Sequence, residues 1–342
     1  MNGYQRYMAT LDGLPVNFPA RTPILMQFAA EFIGSDYAAF ASDHRVLVEA
    51  NVACAREFGI DQLSCISDPY RETHGFGSKI TYVKTGPPHS THPLQETQDL
   101  SVLSVPDPHE SERMLDRIKA AELYHRHHHG EYSILGWVEG PAAESADLRD
   151  LSPFLIDLLD DEPFACELMD LCTDTAIRFA RAQLEAGADT IGIGDAIASQ
   201  VGPDTYEELI QPREKRLVQA IRAMGGKVKL HICGDITHLL PGIADLGVDV
   251  LDVDHMVDLA TVRTVLGSKV TLAGNMDPVS VVRNGTPASI REAVRRAMRE
   301  AGSPWLVNAG CEIPSGTPWE NLMALCEPIG TPEADGYGRC LK

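Results

Sequence analysis

The chain has 342 residues, 44% of them hydrophobic, and a formal net charge of −20 at pH 7, which argues against binding nucleic acid or anionic membranes because both require a basic face. Its eight scattered cysteines do not form a disulfide framework, and no segment has the length and apolar character of a signal peptide or a membrane span. We therefore predict a single domain over residues 1–342 that resides in the cytoplasm and acts on a small molecule or with a protein partner, alone or as a homo-oligomer.

Short apolar segments alternate with helical segments along the chain. A run such as Lys227–Cys233 is short, rich in β-branched residues and bounded by glycine, which is typical of a buried strand. Phe164–Leu184 and Ile290–Arg299 instead have apolar residues at helical spacing. The predicted strands are Thr22–Gln27, Gln62–Asp68, Tyr132–Glu139, Asp189–Asp195, Lys227–Cys233, Val248–Asp254, Lys269–Asn275 and Trp305–Cys311. This pattern predicts an α/β fold, a (β/α)8 barrel with a short N-terminal helical extension.

Polar residues cluster where the predicted strands end, and in a parallel barrel that edge is the catalytic face. An acid at a strand end can also cap the next helix, and Asp277 before Pro278 is best explained in that way. Of the remaining acids and amides, we predict catalytic roles for Asp195, Asp254 and Glu312. The predicted substrate-binding residues are Asp68, Glu139 and Asn275.

Three soft donors at the same edge indicate a metal site. His231 and Cys233 lie at positions i and i+2 of one predicted strand, so both side chains face the same way, and Cys311 adds a third donor from far along the chain. Three protein ligands with a fourth position open are typical of catalytic zinc, whereas structural sites close all four positions. The alternative is that both cysteines are small buried residues and His231 a buried core histidine. We predict a Zn²⁺ site formed by these three residues.

Further motifs resemble those of the uroporphyrinogen decarboxylase superfamily. They are Arg21-Thr22-Pro23, Gly274-Asn275-Met276-Asp277-Pro278 and Gly316-Thr317-Pro318-Trp319-Glu320-Asn321. The resemblance extends over nearly the whole chain and implies a (β/α)8 barrel. It also implies one of two reactions, either decarboxylation of a porphyrinogen without a metal or zinc-dependent methyl transfer to or from a corrinoid protein.

Two positions separate these branches. In the decarboxylases an arginine-rich segment that grips substrate carboxylates follows the Arg-x-Pro element, but the corresponding Ile24–Glu31 contains no arginine. The decarboxylases also usually have His at the position of Cys311. The methyltransferase branch, which includes coenzyme M methyltransferases, has His-x-Cys and a distant Cys as zinc ligands, and His231, Cys233 and Cys311 match them residue by residue.

The resemblance implies a corrinoid cofactor, methylcobalamin, on a separate corrinoid-binding protein, because this chain has no Asp-x-His-x-x-Gly corrinoid signature. We predict methyl transfer between that partner and a small methyl donor or acceptor, and two thiolate ligands favour a thiol as the substrate. One alternative is demethylation of a methoxylated aromatic compound, because Ala142 stands where Phe is commoner and would leave a roomier pocket. The others are a metal-free lyase, a zinc hydrolase and a non-catalytic ligand-binding barrel.

Two other motifs are given structural explanations. His125–His129 precedes Gly130 at the predicted end of a helix, where histidines suit the helix dipole and glycine suits the cap. Gly192-Ile193-Gly194 lacks the third glycine of a nucleotide-binding loop and indicates close backbone packing instead.

Overall fold

The structure, a computed structural model, describes residues 1–330 and contains a curled parallel sheet surrounded by helices. Its strands are β1 (Gln62–Ser64), β2 (Ile80–Thr81), β3 (His89–Ser90), β4 (Ser133–Glu139), β5 (Thr190–Gly194), β6 (Lys227–Ile232), β7 (Val250–Val253), β8 (Thr271–Ala273) and β9 (Trp305–Leu306). Seven of them form one sheet in the order β1-β4-β5-β6-β7-β8-β9, in which every pair of neighbours is parallel. The other two, β2 and β3, form a small antiparallel pair.

Helices connect the end of one barrel strand to the start of the next. Within residues 1–330 they are α1 (Gly3–Leu11), α2 (Gln27–Phe32), α3 (Tyr37–Ser42), α4 (His44–Phe58), α5 (Arg71–Gly75), α6 (Glu112–His128), α7 (Pro141–Arg149), α8 (Leu151–Asp160), α9 (Glu162–Glu185), α10 (Pro203–Thr205), α11 (Gln211–Ala223), α12 (Leu240–Ala244), α13 (Leu259–Leu266), α14 (Pro287–Ala301) and α15 (Trp319–Leu325). Two π-helical turns, Tyr206–Ile210 and Pro278–Arg283, lie between them. No helix in this part of the chain is both long and apolar enough to cross a membrane.

The local signals for helices agree with the structure. The predicted segments Phe164–Leu184 and Ile290–Arg299 lie inside α9 and α14, and the N-terminal extension contains α1. Asp277 caps the turn that begins at Pro278, where its carboxylate accepts hydrogen bonds from two backbone N–H groups at 2.8 and 3.0 Å. The predicted capping role of Asp277 is therefore confirmed.

The barrel closes differently from the prediction at its first strand. Residues 22–27 form no strand, and the connection is a single parallel bridge between Arg21 and Val307. On the other side, the N–H of Asp61 donates to the carbonyl of Arg21 at 2.9 Å. A longer ladder is disfavoured because Pro23 has no N–H to donate. The (β/α)8 class is confirmed, but the prediction of a full strand over Thr22–Gln27 was wrong.

Close backbone contacts shape the upper ends of the last strands. Gly274 has φ +105°, and a Cβ there would lie 2.5 Å from the carbonyl oxygen of Val253. A Cβ on Gly310 would lie 2.4 Å from the backbone nitrogen of His255. Glycine is needed at both positions, and the chain between Trp305 and Cys311 leaves the ladder after two residues. As a result, Cys311, the last residue of the predicted strand Trp305–Cys311, lies instead in a loop at the mouth, beyond the end of β9.

Candidate metal centre

The barrel mouth brings the three predicted ligands together. His231 Nε2 lies 3.1 Å from Cys233 Sγ, and Cys233 Sγ lies 3.9 Å from Cys311 Sγ. The donor atoms of all three lie within 4.8 Å of one another. Two thiolates bound tetrahedrally to zinc at about 2.3 Å have sulfur atoms roughly 3.8 Å apart. The geometry and the soft donor set therefore fit one zinc ion, while the identity of the metal stays a prediction.

The two cysteines share one proton when no metal is bound. The pKa of Cys311 is lowered to about 4 by a hydrogen bond from Cys233, and by a hydrogen bond and the positive charge of His231, against the effect of burial. The same hydrogen bond and burial raise the pKa of Cys233. One thiolate is therefore present at neutral pH, and a dication would readily displace the remaining proton from the pair.

Backbone geometry positions Cys233 beyond the end of β6. The following Gly234 has φ +92°, a conformation that favours glycine, and its N–H donates to Asp254 Oδ2 at 3.0 Å. The other carboxylate oxygen of Asp254 accepts from the N–H of Met256 at 3.1 Å. Asp254 therefore fastens the turn that carries Cys233 to the loop after β7. This placement supports a positioning role, and its predicted catalytic role stays untested.

Asp252 is a site residue that the sequence analysis missed. It is opposite His231 in the register of β6 and β7, and its Oδ2 lies 3.6 Å from His231 Nδ1. The buried ammonium of Lys229 lies 2.8 Å from the same oxygen, and Asn308 donates to both carboxylate oxygens at 2.8 and 2.9 Å. A carboxylate beside the far nitrogen of a metal-binding histidine orients the ring and increases its basicity. The sequence did contain a signal for it: Asp252 lies two positions before Asp254, so both side chains are on the same face of the predicted strand.

We expect Asp252→Asn to lower zinc affinity by roughly 10–100-fold, because the far nitrogen of His231 loses its anionic neighbour. Competition with a chromophoric chelator measures this. Asp249→Asn is the matched control, since Asp249 also pairs with a lysine, Lys227 at 3.5 Å, but at the start of the same strand. The control should lose some stability and keep its zinc affinity. Equal zinc affinity in both variants would show that Asp252 does not support His231.

A cavity of about 160 Å³ lies beside the side chains of His231, Cys233 and Cys311 in the barrel mouth. The predicted residues Asp68, Glu139 and Glu312 line it together with the three proposed metal ligands. Its apolar lining consists of Ile24, Met26, Ile66, Pro69, Trp137 and Ala196. The volume corresponds to roughly five water molecules at about 30 Å³ each. The cavity therefore admits a substrate portion of a few heavy atoms next to the metal position.

Asp68 and Glu139 are held by two buried arginines. Arg113 binds both oxygens of Asp68 at 2.9 and 2.7 Å, and Arg71 binds Glu139 Oε1 at 3.0 Å. Burial alone would raise the pKa of Asp68, but Arg113 and Arg71 lower it below its usual range. Burial raises the pKa of Glu139 well above its usual value, against the charge of Arg71. The structure thus places both residues at the cavity, and their substrate-binding roles stay predictions.

Glu312 connects the Cys311 loop to the opposite wall. Its Oε1 accepts a hydrogen bond from the N–H of Gln27 at 3.0 Å. Burial raises its pKa to about 7; the hydrogen bond from Gln27 opposes this shift, and the charges of Cys311 and Glu31 add to it. Glu312 can therefore exchange a proton beside the metal position near neutral pH, which suits its predicted catalytic role.

Asp195 and Asn275 lie outside the cavity lining. Asp195 is fully buried and accepts hydrogen bonds from the N–H groups of Ala143 and Ala142 at 2.7 and 3.4 Å. Burial raises its pKa to about 7, against these hydrogen bonds and one with Glu214. Asn275 donates to the carbonyls of residues 254 and 257 at 3.1 and 2.6 Å. Each side chain holds a loop in place through these hydrogen bonds. The predicted catalytic role of Asp195 and the predicted substrate-binding role of Asn275 remain untested.

The segments given structural explanations behave as expected. His125–His129 lies at the end of α6, and Gly130 follows with φ +75°. A Cβ on Gly192 would lie 2.2 Å from the ring of Trp137, which confirms close packing there. Ala142 is fully buried and does not line the cavity, so the roomier pocket predicted from this substitution is not found at the metal position.

Comparison with known proteins shows which family and which relatives this chain resembles. The family model for uroporphyrinogen decarboxylase (URO-D) matches residues 3–331. The methylcobamide:CoM methyltransferase MtbA of Methanosarcina mazei is 31% identical over 258 residues, which are 75% of each chain. A uroporphyrinogen decarboxylase of Chlorobium phaeovibrioides is 27% identical over 332 residues, covering 90% of this chain and 93% of the relative. A solved methyltransferase from Methanosarcina mazei has the same fold, with a TM-score of 0.88, 23% identity and 99% coverage of both chains.

Proposed function

The chain belongs to the uroporphyrinogen decarboxylase family, and we propose that it transfers a methyl group between a corrinoid on a partner protein and a small thiol bound beside His231, Cys233 and Cys311. The observation that carries this proposal is the convergence of one imidazole and two thiols within 4.8 Å at the barrel mouth. Relatives with methyltransferase names support the same class of reaction. Decarboxylases are also among the relatives, so similarity alone does not choose between the branches.

The composition of the cavity argues against the decarboxylase alternative. Porphyrinogen decarboxylation uses a substrate with many carboxylates, and such a substrate needs cations at the site. None of the residues lining the 160 Å³ cavity is lysine or arginine. Arg21, in the motif shared with the family, lies at barrel closure and binds Asp61. A soft donor set and a cavity without cations favour methyl transfer to a thiol.

The proposed reaction is a displacement on carbon. Zinc bound by the three residues would lower the pKa of a substrate thiol so that it is a thiolate at neutral pH. A thiolate held at this position would attack the methyl carbon on the partner's corrinoid. A carbon–sulfur bond would form as the carbon–cobalt bond breaks, and the electron pair would stay with cobalt, which would pass from Co(III) to Co(I). The thiol proton leaves to solvent or to Glu312, whose pKa of about 7 suits it as an acceptor.

The residues of the chain supply position and environment for this step. His231, Cys233 and Cys311 would hold the metal, Asp252 and Asp254 would orient two of these ligands, and the apolar cavity wall would exclude water. The corrinoid-binding protein would dock over the mouth, because the cobalt atom has to approach the substrate from the open side of the barrel. We place this exchange in the cytoplasm.

The proposal is tested with free methylcobalamin as the methyl donor. Zinc-loaded protein is incubated with a panel of small thiols, and separately reduced cobalamin is incubated with methoxylated aromatic compounds, while the cobalt spectrum is followed. We expect thiol-dependent loss of the methylcobalamin spectrum and formation of a thioether. Demethylation of methoxyaromatics without thiol methylation would reverse the proposed direction, and porphyrinogen decarboxylation without either reaction would overturn the class.

A further inference from the structure

We propose that the substrate of this cavity is a short thiol that carries a protonated amine, and that an anionic thiol such as a sulfonate is selected against. This inference rests on the proposed function, because it concerns the substrate of the same site. It is drawn from the charges that line the cavity. It gives this chain a different substrate from the CoM in the names of its methyltransferase relatives.

The cavity offers acids and no free cation. Its charged lining residues, apart from the metal-binding set, are Asp68, Glu139 and Glu312. A metal dication with two thiolates and a neutral imidazole has no net charge, so it does not compensate a second anion on the substrate. An anionic group enclosed among carboxyl groups and apolar walls would lose its hydration without gaining a partner. A cationic group would gain a carboxyl oxygen as its partner, and its charge would favour the ionised form of that carboxyl group.

The nearest cations are already paired. Both terminal nitrogens of Arg113 bind Asp68, and Arg113 also donates to the carbonyls of Tyr70 and Ala41. Arg71 donates to Glu139 at 3.0 Å and its side chain is 1% exposed. Neither arginine lines the cavity. Both guanidinium groups are therefore bound to wall acids, and neither faces the cavity where it could meet a substrate anion.

Glu139 and Trp137 form a position that suits an ammonium group. Trp137 Nε1 and Arg71 both donate to Glu139 Oε1, each at 3.0 Å, and among residues 1–330 no hydrogen bond reaches Oε2. A Cβ on Gly194 would lie 3.1 Å from this Oε2 and 3.0 Å from the Trp137 ring, so glycine keeps the space between them open. The Trp137 ring centroid lies 6.5 Å from that of His231. An ammonium there would bind Glu139 Oε2 and an aromatic face within reach of the metal position, and its charge would favour the ionised form of Glu139 against the effect of burial.

The test compares three thiols that differ in one terminal group. Cysteamine, 2-mercaptoethanol and 2-mercaptoethanesulfonate each have two carbons and one thiol, with an ammonium, a hydroxyl and a sulfonate end respectively. Calorimetric titration of zinc-loaded wild-type protein at one pH measures their binding without requiring turnover. We expect cysteamine to bind at least roughly tenfold more tightly than the sulfonate, with the hydroxyl compound between them.

Variants assign the preference to the proposed position. In Glu139→Gln the ratio of cysteamine to 2-mercaptoethanol affinity should fall by roughly tenfold, and Gly194→Ala should reduce the same ratio by filling the space between Glu139 and Trp137. Glu292→Gln is the matched control, because Glu292 is exposed on α14 and does not line the cavity, and its ratio should equal that of the wild type.

The outcomes separate this inference from the proposed function. Equal or tighter binding of the sulfonate by wild-type protein would overturn the inference, even if thiols are methylated and even if a variant fails to fold. A wild-type preference for cysteamine that survives in Glu139→Gln would overturn the assigned position. Tight cysteamine binding without methylation of any thiol would support the charge preference and contradict the proposed function.

Discussion

Replacing Cys311 with alanine is expected to abolish zinc binding and methyl transfer. Wild-type protein should carry about one zinc ion per chain, since His231, Cys233 and Cys311 form one compact donor set. The variant retains an imidazole and one thiol, and Cys311 is the thiol with its pKa lowered to about 4. The loss of affinity should exceed the roughly 10–100-fold change expected for residues that only support ligands. Metal analysis after gel filtration and the methylcobalamin assay measure both effects.

The fold of this variant should remain intact. Cys311 lies in a loop at the mouth and its side chain is only partly buried, so the truncation leaves no large core cavity. Cys166→Ala is the matched control, because this cysteine is also partly buried but lies in α9, away from the site. Far-UV circular dichroism should be the same for both variants and the wild type. Full activity of Cys311→Ala after exhaustive chelation would contradict a zinc mechanism.

Much of the barrel could be predicted because its signals are local. The strand preference of β6 is contained in Lys227–Ile232, and the helical spacing of α9 is contained in its own 24 residues. The metal site needed one further rule, that the carboxyl ends of parallel strands meet at one face. Alternation along β6 then placed His231 and Cys233 on the same side. Both rules need only the position of a residue in the sequence, which is why the sequence predicts all three donors at one site.

The parts that could not be predicted depend on contacts between distant residues. Asp252 has the same residue type as Asp254, and only the register of β6 and β7 puts it opposite His231. Asp195 follows a strand, as the sequence indicates, but only the structure shows that its carboxylate is buried against the backbone of α7. Charge and position in a strand do not determine which way a loop folds over a side chain. The partners of an acid at the barrel mouth therefore have to be read from the structure.

The closure of the barrel is the other feature that the sequence did not disclose, and it depends on Asp61. Asp61 Oδ2 accepts from the backbone N–H and Nε of Arg21 at 2.9 and 3.0 Å. Its Oδ1 accepts from Arg6 and from the second terminal nitrogen of Arg21 at 2.6 and 3.1 Å. The aromatic ring of Phe18 covers both guanidinium groups at 4.1 and 4.8 Å. One buried carboxylate thus joins α1, the bridge at Arg21 and the start of β1.

We expect Asp61→Ala to lower the free energy of unfolding by about 3–5 kcal/mol, because it leaves two largely buried guanidinium groups without their counter-ion. Urea denaturation followed by circular dichroism measures the change. Glu292→Ala is the control, since Glu292 pairs with Arg299 on the exposed face of α14 and such pairs contribute about 0–1 kcal/mol. If the two variants unfold at the same urea concentration, the barrel is closed by its backbone bridge alone, and the ion pairs around Asp61 do not replace the missing strand.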